Sequence, residues 1–287
     1  PSMVGIGVFC HEFGHNLGLP DLYDTDDSNG DSEGIGNWCL MAGGGWLGGE
    51  HRPVNFSAWC KIENGWDTPT VLNIGSSSSH SLAPSSLNQN EIIRVNTAVT
   101  NEYFLLENRQ KVGLDLELPG SGLAVFHINT NKTGGNGVNA DENLKGVDLE
   151  EADGNDDLDH EINRGDGGDL FPGTSNNSSF DDNSSPNSRN YSLATTGLQL
   201  RNITEAGTQL NFDFGPFVAA SCSGATTTFN AATGIFEDGS GAANNYANNL
   251  NCSWLIQPTN ASSITLDFTR IDIDNTIDRV AIYDGTD

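Results

Sequence analysis

Five residues near the start of the chain, His11-Glu12-Phe13-Gly14-His15, constrain the fold more than any other stretch. Side chains four apart on an α-helix lie one above the other, so His11 and His15 can offer imidazole nitrogens to one metal ion when this segment is helical. The flanking pattern agrees with a helix. Val4, Val8 and Phe9 recur at helical spacing as far as Leu17, and Gly18, Pro20 and the polar run from Asp21 to Asp31 end it. One helix followed by a loop is expected.

On that helix Glu12 is carried to the rim of the same site, where its carboxylate can take a proton from a metal-bound water. The spacing then continues as His11-Glu12-x-x-His15-x-x-Gly18-x-x-Asp21. Glycine at position 18 lets the helix stop and the backbone swing back, which offers Asp21 to the metal from a third direction. Two imidazoles and one carboxylate leave a fourth position open, the arrangement of a catalytic rather than a structural Zn²⁺. An accidental His-Glu-x-x-His helix would leave both histidines as ordinary surface or hydrogen-bonded residues, and the added Gly and Asp spacing argues against that reading.

Residues 32–70 place Trp38, Trp46, Trp59 and Trp66 among glycine-rich turns, with a short helix expected near Phe56 to Glu63. The tryptophans read as packing. Beyond Pro69 the texture becomes short alternating runs, Glu91 to Val95, Glu102 to Glu107, Gly122 to Asn129, Leu198 to Ile203 and Gln209 to Phe214, separated by Gly, Asn and Pro turns. Gly215 and Pro216 mark a boundary, after which Ser253 to Ile256, Ile264 to Phe268 and Arg279 to Tyr283 read as strands of a smaller β-sandwich. The expected division is 1–70, 71–216 and 217–287.

Lys and Arg number 12 against 39 Asp and Glu, a net charge of −27. A field of that sign repels phosphate backbones and anionic lipid, which excludes nucleic-acid and acidic-membrane partners. No apolar run approaches the roughly 20 residues needed to cross a bilayer. Low lysine, 34 glycines and five cysteines fit a secreted, loop-rich β protein. Both ends read as cut. The first ten residues lack the features of a signal peptide and lead straight into the motif helix, and the last seven stop within a strand-like pattern.

Two acidic groups stand out: Asp24, Asp26, Asp27 and Asp31, and the denser set Asp153, Asp156, Asp157, Asp159, Asp166 and Asp169. Closely spaced hard oxygens among Gly and Asn suit Ca²⁺, expected within 148–173, although neither run has the EF-hand spacing. The alternative is a pair of solvated acidic loops. His51, His80, His127 and His160 have no partner at ligand spacing and read as structural or exposed.

The extended motif, followed by Trp38-Cys39-Leu40-Met41-Ala42-Gly43, resembles the metzincin clan, in which a methionine-containing turn lies beneath the zinc ligands. More closely, HEFGHNLGLPDLYD, IGNWCLMAGGGW and NFSAWCKIENGW resemble the immune inhibitor A-type secreted bacterial metallopeptidases. EYFLLENRQ, GLAVFHIN, GVDLEEADG and GDGGDLFPG are similar to the same family, so the resemblance covers roughly residues 1 to 215. It implies an α+β fold with the C-terminal part of a metzincin-like catalytic domain followed by a β-rich extension. It also implies Zn²⁺ on His11, His15 and Asp21, Glu12 as general base and then acid, and Met41 as the Met-turn residue. Many metzincins use His as the third ligand, so Tyr23 and Asp24 stand as fallback oxygen donors.

Residues 222–285 resemble a CUB-like β-sandwich. That resemblance implies a disulfide between Cys222 and Cys252, Asp274 and Asp278 among calcium ligands, and a module that binds protein or carbohydrate. Cys10, Cys39 and Cys60 remain, with Cys39 and Cys60 the preferred pair. Taken together, the expectation is a secreted zinc endopeptidase acting on protein or peptide substrates, with Ca²⁺ as a second ion. Two alternatives stand beside it: a calcium-stabilised adhesive or carbohydrate-binding protein with a relict zinc site, and a zinc hydrolase of non-peptide substrates.

Overall fold

The motif segment is helical: α1 runs Ile6–Asn16, and after 3-10 turns at Gly36–Trp38 and Gly43–Trp46 comes α2, Ala58–Glu63. The structure is a computed structural model that describes residues 4–216 apart from 27 and 136, and, of the remainder, residues 220–222, 224, 226–230, 234, 236–238, 246, 249–258, 261–266, 268, 271, 273 and 278–284. Residues 1–216 form one compact unit. Its strands are β1 (Thr70–Asn73), β2 (Ser78–Leu82), β3 (Ile92–Asn96), β4 (Glu102–Arg109), β5 (Gly122–Asn129), β6 (Val147–Leu149), β7 (Phe180–Asp181), β8 (Gln199–Ala206) and β9 (Gln209–Phe214). The expected strands at 91–95, 102–107, 122–129, 198–203 and 209–214 fall on β3, β4, β5, β8 and β9. Four others, β1, β2, β6 and β7, have no sequence signal, being short or, like Ser-Ser-His-Ser-Leu of β2, mostly polar.

One sheet has the order β1-β3-β4-β5-β6 and the other β2-β9-β8-β7. Every residue of β4 and β5 is buried, so their alternation separates two cores rather than core from solvent. Tyr103, Leu105, Phe126 and Ile128 join Trp38, Met41 and Trp59 on one side. Phe104, Leu106, Leu123 and Val125 join Phe180, Leu200 and Phe214 on the other. The first sheet is therefore a middle layer between the N-terminal helices and turns and the second sheet. Position 70, where the sequence changes texture, lies inside this unit, because the first core draws on residues from both sides of it.

A buried ionic network ties these layers together. Glu107 and Arg109 lie on the face of β4 that carries Tyr103 and Leu105, and both are 0% exposed. Glu107 accepts from Lys61 Nζ at 2.9 Å, Arg109 Nη1 at 3.2 Å and the Ala58 amide at 2.9 Å, which holds the start of α2. Arg109 forks onto Asp115 with both bonds at 2.9 Å and donates to the Trp38 carbonyl at 2.7 Å.

His127 of β5 is enclosed between carboxylates, with Nε2 at 2.8 Å from Glu102 and Nδ1 at 3.2 Å from Glu150. Burial alone would lower its pKa, but hydrogen bonds to Glu102 and Glu150, with the charges of Glu150 and Asp148, raise it to about 9. The folded value lies above the ordinary value of about 6.5. This group's stabilisation is thus fully present below about pH 6.5 and is lost as pH rises through about 9. A loss of up to about 3 kcal/mol across that window is expected. Urea titrations at several pH values should show it, and His127→Gln should flatten the dependence. An unchanged slope in the variant would refute this assignment.

Residues 217–287 form a second unit. Among its described residues, β10 (Ala220–Ser221) pairs parallel with β12 (Phe236–Glu237), and β11 (Thr227–Phe229) pairs parallel with β13 (Trp254–Ile256). Cys222 and Cys252 are joined by a disulfide, and Phe236 packs on Trp254 at 4.7 Å between centroids. The strands expected at 264–268 and 279–283 are not found among the described residues. Val280, Ile282 and Tyr283 are 54%, 67% and 71% exposed. Alternation yields a strand only where a neighbouring edge takes up its hydrogen bonds.

Candidate metal centre

α1 turns Gly7, His11 and Gly14 inward, and its two glycines let it approach the turns that follow. A Cβ at position 7 would lie 1.8 Å from the Gly45 carbonyl oxygen, and one at position 14 would lie 2.3 Å from Met41 Sδ. Met41 is therefore seated directly under the helix, fully buried. The helix ends at Gly18, whose φ of +92° is the left-handed conformation that glycine adopts without strain. The Gly18 amide bonds the His15 carbonyl at 2.9 Å and the Leu19 amide bonds Gly14 at 3.1 Å. The chain then doubles back, and the Leu22 amide is held by the Met41 carbonyl at 2.8 Å.

That reversal brings His11, His15 and Asp21 together, with one potential ligand atom from each inside a 4.8 Å span. Asp21 Oδ1 is 3.1 Å from His11 Nε2 and 3.3 Å from His15 Nε2. The opposite ring nitrogens fix the tautomers. His11 Nδ1 donates to the Leu40 carbonyl at 2.8 Å, and His15 Nδ1 donates to the Leu19 carbonyl at 2.9 Å. A carbonyl can only accept, so each neutral ring keeps its proton on Nδ1 and turns the Nε2 lone pair toward Asp21. Three acceptors then face one another with no proton between them, a donor set suited to a borderline cation such as Zn²⁺. Leu40 belongs to the same turn as Met41, so the turn both underlies the helix and orients the His11 ring.

Glu12 is exposed on α1, one residue along from His11. Tyr23, a fallback donor in the sequence, stacks on the His11 ring at 6.2 Å and bonds the Asp21 side chain through its hydroxyl. Burial first, and then the Asp21 charge, push its pKa up, so Tyr23 is a donor that holds Asp21. Asp24 stands outside the trio. Trp46 lies edge-on to His11 at 5.6 Å and is 43% exposed, which corrects its reading as simple packing. Nothing in GGGW separates an exposed tryptophan at a cleft from a core one. Beside it, Tyr23, Ala42, Gly43 and Trp46 line part of a cavity of about 370 Å³.

The acidic residues 153–169 divide. Asp153, Asp166 and Asp169 converge, whereas Asp156, Asp157 and Asp159 do not join them. Asp159 is paired with the Lys145 ammonium, which already neutralises it and would repel a second cation. Asp157 accepts from Asn163 at 3.0 Å, and Asp156 is exposed. Burial, with the charges of Asp166 and Asp153, raises the Asp169 pKa to about 7, and burial with the Asp169 charge raises that of Glu151 to about 8. In the other loop Asp26 accepts from Ser28, and Asp27 lies outside the described residues. Asp274 lies outside them too, while Asp278 accepts from the Tyr246 hydroxyl. Cys39 and Cys60 are free thiols with sulfurs 3.7 Å apart, and Cys10 is also free.

Residues 1–68 match the family described as immune inhibitor A peptidase M6, catalytic domain, and residues 222–287 match the CUB domain family. Over 63 residues the chain is 44% identical to the pre-pro-metalloprotease PrtV of Vibrio cholerae, covering 21% of this chain and 7% of that protein. Over 59 residues it is 52% identical to Immune inhibitor A of Bacillus thuringiensis subsp. alesti, covering 20% of this chain and 8% of that protein. A 69-residue stretch is 39% identical to Multiple epidermal growth factor-like domains protein 8 of Rattus norvegicus, 24% of this chain and 2% of that one. The chain thus spans a small part of the curated relatives it matches.

Proposed function

We propose that this chain carries the zinc centre of a secreted metalloendopeptidase of the immune inhibitor A type, with His11, His15 and Asp21 as ligands. The observation that carries the reading is the pair of Nδ1–H bonds to main-chain carbonyls, which points both Nε2 lone pairs at Asp21. The matches to metallopeptidases over residues 1–68 support it. In the domain division that goes with it, 1–70 supplies the centre, 71–216 its supporting β layers and 217–287 a binding module for protein or carbohydrate. The disulfide between Cys222 and Cys252 supports an extracellular location. Among the described residues no helix is long and apolar enough to cross a membrane.

When bound, Zn²⁺ supplies a Lewis acid that acidifies a water and polarises a carbonyl. Glu12, exposed at the rim, would serve as the proton carrier, taking a proton from the attacking water and handing it to the departing amine. Tyr23 fixes Asp21, and the Leu19 and Leu40 carbonyls fix the imidazoles, so the ligands need little rearrangement. Met41 packs against Gly14 and sets the height of α1 above the turn.

Zinc-loaded protein should cleave an unfolded substrate such as casein. A chelator should abolish cleavage, and added Zn²⁺ should restore it. Tight zinc binding without cleavage of any peptide or protein would replace this reading with that of a relict, adhesive module.

A further inference from the structure

We propose that the cavity of about 370 Å³ beside the metal centre is a substrate subsite that selects a Lys or Arg side chain near the scissile bond. The proposal rests on the peptidase reading and adds a side-chain preference to it. Two of the lining residues, Tyr23 and Trp46, also flank the His11 ring. A side chain that enters between them therefore belongs to a peptide held at the metal. Beyond Ala42 and Gly43, the rest of the lining is Asp24, Asp31, Ser32, Glu33, Glu161 and Arg164.

That lining carries uncompensated negative charge. Arg164 Nε donates to Glu33 at 3.0 Å, which leaves this pair neutral. Among the described residues, no Lys or Arg pairs with Asp24, Asp31 or Glu161. Asp24 Oδ1 accepts from the Asp26 amide at 2.8 Å, whereas Oδ2 is buried with no hydrogen-bond partner. A buried acceptor without a donor is costly, and an ammonium or guanidinium group brings donor and opposite charge together. Trp46, 43% exposed, offers an apolar wall along which the methylene stem of a long basic side chain can lie. Asp31 and Glu161 also line a neighbouring cavity of about 630 Å³ together with Glu142 and Asp156, so the negative lining continues beyond the first cavity. An acidic side chain would meet these carboxylates as like charges, which turns the same lining into a barrier.

The net charge of −27 attracts any cationic peptide, but a field of that kind acts alike on every position of the peptide and is screened by salt. A subsite acts at one position. This difference sets the design of the test.

The zinc-loaded chain is assayed in about 0.5 M salt on otherwise identical quenched peptides, with Lys, Arg, Leu or Glu stepped through the positions on each side of the scissile bond. Lys and Arg should raise kcat/KM over Leu by about tenfold or more at one position, with Glu the poorest there. Asp24→Asn, Asp31→Asn and Glu161→Gln combined should remove most of that ratio. Glu205→Gln, on β8 and outside the cavity, should keep it. The same peptides are titrated by calorimetry onto zinc-loaded Glu12→Gln, which reads the preference through binding alone. If the parent cleaved no peptide while Glu12→Gln still preferred Lys through the three carboxylates, the peptidase reading would fall and the basic-side-chain subsite would stand. A preference that is absent, equal at every position, or retained by the triple variant would overturn the subsite and leave the peptidase reading untouched. Zinc content and circular dichroism of each variant separate these outcomes from a failure to fold.

Discussion

Glu12→Gln is expected to lower kcat/KM for peptide cleavage by about 10²- to 10⁴-fold, the usual range for loss of a general acid–base group, with zinc content unchanged. The substitution keeps the size of the side chain and removes its negative charge and its ability to carry a proton. His11 and His15 retain their bonds to Leu40 and Leu19, and Asp21 retains Tyr23, because none of these contacts involves the Glu12 carboxylate. His11→Ala should behave differently, losing metal and activity together. Parallel metal analysis and initial-rate measurements separate the two cases. If Glu12→Gln cleaved at the parent rate, the proton transfers assigned to Glu12 would be wrong even with the metal site intact.

Arg109→Leu is expected to destabilise residues 1–216 by about 3 to 5 kcal/mol. The guanidinium is fully buried and serves Glu107, Asp115 and the Trp38 carbonyl. Leucine would leave two buried carboxylates short of a cation and one carbonyl short of a donor. Lys61 still reaches Glu107 and the Asn55 amide still reaches Asp115, which keeps the loss from being larger. Replacing Arg109, Glu107 and Asp115 together by apolar residues of similar volume should cost less than the single change, because no unpaired charge is then buried. Equilibrium unfolding of the single and triple variants measures both. A single variant within about 1 kcal/mol of the parent would mean that the network is not buried as described.

The site and its support differ in how far they could be read from sequence. His11 and His15 sit four apart, and helical geometry then decides that they share a face. Asp21 required one further step, the left-handed turn at Gly18, which glycine announces. The hydrogen-bond partners of the two imidazoles are main-chain carbonyls of Leu19 and Leu40, and a main-chain acceptor has no residue signature. Asn108, Arg109 and Gln110 at the end of β4 look like a polar strand exit, yet all three are buried. Only the covering of both faces of the middle sheet explains this, and that is a tertiary fact. The acidic stretch 148–173 was legible as a region. Which carboxylates converge depended on Lys145 reaching Asp159 and on Gly168 leaving room for Asp153. In the second unit, the alternation at 279–283 suggested a strand, but alternation reports only what could pair.

The account rests on His11, His15 and Asp21 sharing one metal ion, and zinc X-ray absorption of the loaded chain tests that most directly. It should show nitrogen and oxygen neighbours at about 2.0 to 2.2 Å, with imidazole scattering from two rings and no sulfur. A sulfur shell at about 2.3 Å would place the metal on a cysteine, and absence of imidazole scattering would place it among carboxylates. Either result would contradict the centre proposed here.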